Sequence, residues 1–210
     1  RRIISDPPLI WPLRDTPDFA AQHQLEEQIV SQMSAYRETL APDRRVLIDR
    51  YRVADVALKV VGVGSVGTRC VIALLEGRDW NDPLLLQFKE AGPSVLEING
   101  GLPPDPDGHG GQRVVEGQRL MQSASDILLG WTTGPTGRHF YWRQLADMKG
   151  SFNVAKAVPE GLTLYAQACG YTLARSHARS GDPAAIASYL GKKNTFDRAA
   201  VEFGRLYADQ

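Results

Sequence analysis

The chain predicts an α+β fold: helices first, then a strand-rich centre with one embedded helix, then helices again. Three observations carry this. Leu25, Ile29, Met33, Tyr36 and Leu40 recur at helical spacing. Between residues 60 and 148, short β-branched or apolar runs alternate with Gly- and Pro-rich turns. After Asp147 helical periodicity returns and holds to the end. Strand and helix do not alternate as in a parallel α/β fold, so the sheet is expected to be small and antiparallel. The expected division is an extended segment and helices over 1–59, a strand-rich lobe over 60–148 and a helical lobe over 149–210.

Pro7, Pro8 and Pro12 make the start an extended lead-in. Thr16-Pro17-Asp18 reads as a helix start, with a Thr cap, Pro at the first helical position and an acid in the first turn. Pro42 ends that helix, and a shorter one is expected from Arg44 to about Asp55. Val60-Val61 leads into a glycine-rich turn, Leu84–Lys89 reads as a strand, and Gly92 to Gly111 as a mobile loop. A helix follows with Val114, Met121, Ala124 and Leu128 on one stripe. Trp131–Arg138 is a turn between two strands, the second being His139–Leu145. Helices are predicted over Pro159–His177, from Pro183 to near Gly191, and over Asn194–Ala208.

Lysines plus arginines equal aspartates plus glutamates at 24 each, so no basic excess points to nucleic acid or an acidic membrane surface. The longest apolar run, Cys70–Leu75, is far short of the roughly 20 residues of a membrane helix. Cys70 and Cys169 lie in apolar stretches, which fits reduced, buried thiols and a cytoplasmic chain. The first residue is Arg1 and the last helical pattern stops abruptly, so a fragment of a longer protein is expected.

Gly62, Gly64 and Gly67 fit G-x-G-x-x-G. Glycines admit positive φ and remove the Cβ atoms that would block a phosphate, so backbone N–H groups can point at it. The pattern alone also fits a plain hairpin turn. Two ligand-binding readings compete. In a Rossmann-type dinucleotide fold, Val66–Glu76 would be a helix, Leu84–Phe88 the next strand and Glu90 the ribose-binding acid. In a kinase-like fold the glycines turn a hairpin over the phosphates, and the next strand delivers Lys89. Three features favour the second: β-branched Thr68, Val71 and Ile72, a lysine ending an apolar strand, and no second βαβ half. A lysine at a strand end can equally snorkel to solvent.

Gly62–Arg69, Leu86–Ala91, Gly111–Gln122, Arg143–Ser151 and Leu173–Asp182 resemble a bacterial family termed domain of unknown function 2252 (DUF2252), over nearly the whole chain. That family is grouped with protein-kinase-like and aminoglycoside-phosphotransferase-like folds. The resemblance implies that Gly62, Gly64, Ser65 and Gly67 cover the phosphates of ATP, with Mg²⁺, and that Lys89 contacts them. It implies that Glu116 pairs with Lys89, with Glu97 as rival, and that Gln144 to Met148, beginning with Gln144 and Leu145, form a hinge that meets adenine. A Gly-Asp-x-His-x-x-Asn-Phe segment and an Asp-Phe-Asp segment resemble kinase machinery in the family, but precede the glycine loop. That order would be a circular permutation, with the catalytic residues upstream of Arg1 and this chain alone inactive. The implied role is ATP-dependent phosphotransfer to an unknown small-molecule or protein substrate. Alternatives are an oxidoreductase module of the dinucleotide type, a non-catalytic nucleotide-binding or interaction module, and a purely structural domain.

Other residues read more plainly. His177 falls on an apolar stripe as a core histidine, and His23, His109 and His139 show no metal spacing. Ser65 has no nearby base that would make it a nucleophile. Asp105, Asp107 and His109 read as solvated loop residues, and Arg113, Arg119 and Arg143 as ion-pair formers or contacts for an acidic substrate.

Overall fold

The computed structural model describes residues 1–15, 19–60, 62, 67–101, 108–145 and 152–209, and over residues 19–26 the backbone alone. It falls into two compact units, Arg1–Arg119 with Ala124–Ser151, and Leu120–Ser123 with Phe152–Gln210. The first holds a six-stranded sheet of β1 (Ile10–Pro12), β2 (Arg52–Lys59), β3 (Cys70–Glu76), β4 (Pro83–Glu90), β5 (Gly130–Thr133) and β6 (His139–Gln144). Every pairing is antiparallel, in the order β1-β2-β3-β4-β6-β5. The α+β class with a small antiparallel sheet is therefore as the sequence predicts.

Helices α1 (Phe19–Glu38) and α2 (Pro42–Ile48) precede β2, while α3 (Val95–Asn99) and α4 (Gly110–Met121) lie between β4 and β5. One face of the sheet packs on the first two helices. Val71, Ala73 and Leu75 of β3, Leu84, Leu86 and Phe88 of β4, and Phe140 and Trp142 of β6 join Ile29, Tyr36, Leu40 and Ile48 in one core. The Trp142 ring stacks between Phe88, 4.1 Å away, and Tyr36, 4.8 Å away. The opposite face buries Ala57, Ile72 and Leu74 under Ile3. Asp55 holds that N-terminal segment. Its carboxylate accepts from the Ile3 N–H at 2.7 Å and pairs with Arg14, which donates to the Ile3 carbonyl at 2.6 Å.

Several expectations change here. The predicted helix from Arg44 to Asp55 ends at Ile48, and Arg52 starts a strand. Pairing with β3 from Arg52 to Leu58, across a register shift between Val53 and Asp55, overrides the modest strand propensity of Ala54 and Asp55. Cys70–Glu76 is a strand, so the helix that the dinucleotide reading needs there does not form. The predicted loop after Gly92 contains α3, whose Ser94 and Glu97 form a reciprocal capping box. The helix after it stops at Met121, before Ala124 and Leu128, and Trp131 lies in β5 instead of a turn.

The second unit contains α5 (Pro159–Ser180), α6 (Pro183–Leu190) and α7 (Thr195–Ala208), close to the predicted bounds. Its burial is not as predicted. Leu173, Cys169 and His177 are exposed; on α5 only Ser176 is buried. No helix of the described residues is long and apolar enough to cross a membrane.

Candidate functional site

The sheet face opposite α1 carries the candidate site. Cross-strand partners share a face, and residues two apart on a strand share it too. Cys70 of β3 pairs with Lys89 of β4, and Lys89 pairs with Tyr141 of β6. One step along, Ile72 pairs with Gln87, and Gln87 with Arg143. Ala57 of β2 lies opposite Ile72 on this face, which places Lys59, two residues on, at the Cys70 level. The result is a row, Lys59–Cys70–Lys89–Tyr141, at the end of the sheet nearest the glycine-rich turn, backed by Gln87 and Arg143.

The floor of this row is partly closed. Cys70 and Gln87 are buried, and the Gln87 amide donates to the Cys70 sulfur at 3.2 Å. Burial pushes the Cys70 thiol up, against the pull of Lys89, the Gln87 hydrogen bond and Lys59. Burial raises Tyr141 likewise, with Arg143 opposing. Both therefore stay neutral near pH 7, so the charge of this face is that of its lysines and arginine. Lys59, Lys89 and Arg143 are each half-buried. None takes part in the ion pairs formed among the described residues.

Gly62 and Gly67 lie in the connection between β2 and β3. Gly67 has φ +81°, the left-handed region that glycine supplies without strain. A Cβ on Gly62 would meet nothing within 4 Å among the described residues, so their packing does not require glycine there. Gly64 and Ser65 lie outside the described residues.

The expected pair of Lys89 with Glu116 is not formed. Glu116 is exposed on α4 and accepts from Gln112 at 2.7 Å. Glu97 accepts from the Ser94 N–H at 3.2 Å and lies 3.9 Å from Arg113. Glu90, the acid of the dinucleotide reading, is held by Arg138 at 2.6 Å and the Arg69 N–H at 3.2 Å. These bonds outweigh burial and lower its pKa. At the expected hinge, the Gln144 N–H donates to Asp126 and the Leu145 N–H to the Leu85 carbonyl. Both of these N–H groups are thus occupied within the protein, and residues 146–148 of the expected hinge lie outside the described residues.

A family model described as "Uncharacterized protein conserved in bacteria (DUF2252)" matches residues 1–210. The chain belongs to the DUF2252 family. No curated protein and no solved structure matches it. Within this DUF2252 chain, Lys59 as a neighbour of Lys89 is the residue sequence reasoning missed. The signal was available in principle: once 52–76 is a hairpin, counting in twos puts Lys59 beside Cys70.

Two histidines at the sheet end fix the start of α4. His109 and His139 stack at 3.9 Å. The Gln112 N–H donates to His109 Nδ1 at 3.1 Å, and the Gly110 N–H to His139 Nδ1 at 3.0 Å. A backbone N–H can only donate, so both Nδ1 atoms must be unprotonated, and His109 Nε2–H then faces Thr133 Oγ1 at 3.1 Å. Burial, then the His139 neighbour, lowers the His109 pKa. A depressed histidine pKa means the unfolded chain takes the proton first. Its stabilising contribution is thus complete above about pH 6.5 and lost as pH falls below that. The melting temperature of wild type is expected to fall more steeply between about pH 6.5 and 5 than that of His109→Asn, whose amide oxygen keeps the cap without titrating.

Proposed function

We propose that this sheet face holds the phosphates of ATP in a kinase-like lobe, and that the protein serves ATP-dependent phosphotransfer to a small-molecule or protein substrate. The observation that carries the reading is Lys89, a half-buried cation on the sheet face away from α1 with no carboxylate partner among the described residues. A partly buried charge without a protein partner is costly unless a ligand supplies one. Chain order supports it as well: a glycine-rich turn, a lysine strand, then a helix carrying a glutamate, which is the kinase small-lobe sequence of parts.

A polyphosphate fits the cations present. For Mg²⁺, the described residues offer no group of three carboxylate, histidine or cysteine side chains, so the phosphate oxygens would carry it on this face. When bound, the ion would neutralise phosphate charge. The chain's own part is to bind and orient the phosphates through Lys89 and the turn at Gly62 and Gly67.

The test is ATP–Mg²⁺ affinity by isothermal titration. A charge-assisted hydrogen bond contributes about 1.5–3 kcal/mol, so Lys89→Ala should weaken binding about 10- to 100-fold. Unchanged affinity in Lys89→Ala contradicts the assignment.

A further inference from the structure

Resting on the nucleotide reading but going beyond its single lysine, we infer that Lys59, Lys89 and Arg143 form one anion site built for a chain of phosphoryl groups, with Lys59 as the residue that selects polyphosphate over monophosphate. Lys59 on β2 and Lys89 on β4 flank Cys70 on β3. With strands about 4.8 Å apart, their backbones are separated by about 10 Å, and their side chains share one face. Two ammonium groups so placed can each meet a different anionic group of one extended ligand. Arg143 stands beside Gln87, one step closer to Leu145.

The three cations have no carboxylate counterpart among the described residues, whereas the nearby acid Glu90 is already consumed by Arg138 and Arg69. Cys70 and Tyr141 between them are neutral near pH 7 and add no opposing charge. The face therefore presents a concentrated positive potential over a partly closed, partly apolar floor, a setting that strengthens phosphate contacts.

The probes are tripolyphosphate, ATP and AMP, titrated calorimetrically into the 210-residue chain at constant ionic strength, using wild type, Lys59→Met and Lys59→Arg. Wild type should bind tripolyphosphate and ATP. Lys59→Met should weaken both about 10- to 100-fold and AMP less than about threefold, while Lys59→Arg stays within a few-fold of wild type. The arginine variant guards against a folding defect at position 59. The inference is overturned if Lys59→Met binds tripolyphosphate and ATP as wild type does, if it loses AMP equally, or if wild type takes ATP but not tripolyphosphate. That last result leaves the nucleotide reading standing. Tripolyphosphate binding without ATP binding supports the anion site and sinks the nucleotide reading. Binding of neither by wild type overturns both.

Discussion

Trp142→Ala is expected to lower the unfolding free energy by about 4–5 kcal/mol, near the upper end for a large-to-small core substitution. The ring is fully buried and stacks on both Phe88 and Tyr36, so its removal opens a cavity between the sheet and α1. Its indole N–H donates to Thr132 Oγ1 at 2.9 Å, and that buried hydroxyl would lose its donor. Trp142→Phe, which keeps a ring but loses the N–H, should cost about 1–2 kcal/mol. Urea titration followed by circular dichroism measures both. A loss below about 1 kcal/mol for the alanine variant would show that the stack does not bind α1 to the sheet. Phe88 precedes Lys89 on β4, so loosening the stack also loosens the strand that positions the lysine.

Asp55→Ala comes next, at about 2–4 kcal/mol. Removing one partner of a buried pair costs about 3–5 kcal/mol. The Asp55 side chain is 8% exposed but Arg14 is 26% exposed, and partial hydration of the stranded guanidinium softens the penalty. The same carboxylate accepts from the Ile3 and Val56 N–H groups, so its loss also releases the segment that covers Ile72 and Leu74. Urea titration gives the energy. Limited proteolysis should show faster cleavage within residues 1–15 than in wild type. Equal cleavage and stability would mean that the N-terminal segment is held by Ile3 packing alone.

How far the fold could be read depended on whether local pattern and tertiary pairing agreed. In β4 they do. Leu84-Leu85-Leu86 is an apolar run stopped by a charge, and it became a strand buried on both sides of the sheet's centre. In β2 they conflict. Asp55 is turned inward to Arg14, and a register shift between Val53 and Asp55 erases the alternation that marks a strand. Missing that strand also hid Lys59. The capping box at Ser94 and Glu97 starts α3 inside the stretch Gly92 to Gly111, which its glycines and prolines marked only as a loop. In α5 and α7 the apolar stripes marked true helices, yet Leu173 is 56% and Phe203 69% exposed. Periodicity reports that a helix has an apolar face, not what covers it. For the site, Lys89 and the glycines were visible as types and spacings. That Glu116 meets Gln112 and not Lys89 was not, because it depended on where α4 sits, and α4 is fixed by backbone approach. A Cβ on Gly111 would lie 2.2 Å from the Phe140 carbonyl oxygen, a constraint that only the packed structure reveals.

The central claim is that phosphates bind on the Lys89 face of the sheet. Mapping backbone amide shifts by nuclear magnetic resonance on adding ATP–Mg²⁺ tests it most directly. The account predicts the largest changes at Gly67, Cys70, Lys89 and Tyr141, with Lys59 close behind, and little change at Tyr36 or Leu40 behind the sheet. Saturable binding whose shifts fall elsewhere, or no binding at millimolar ATP, would contradict it.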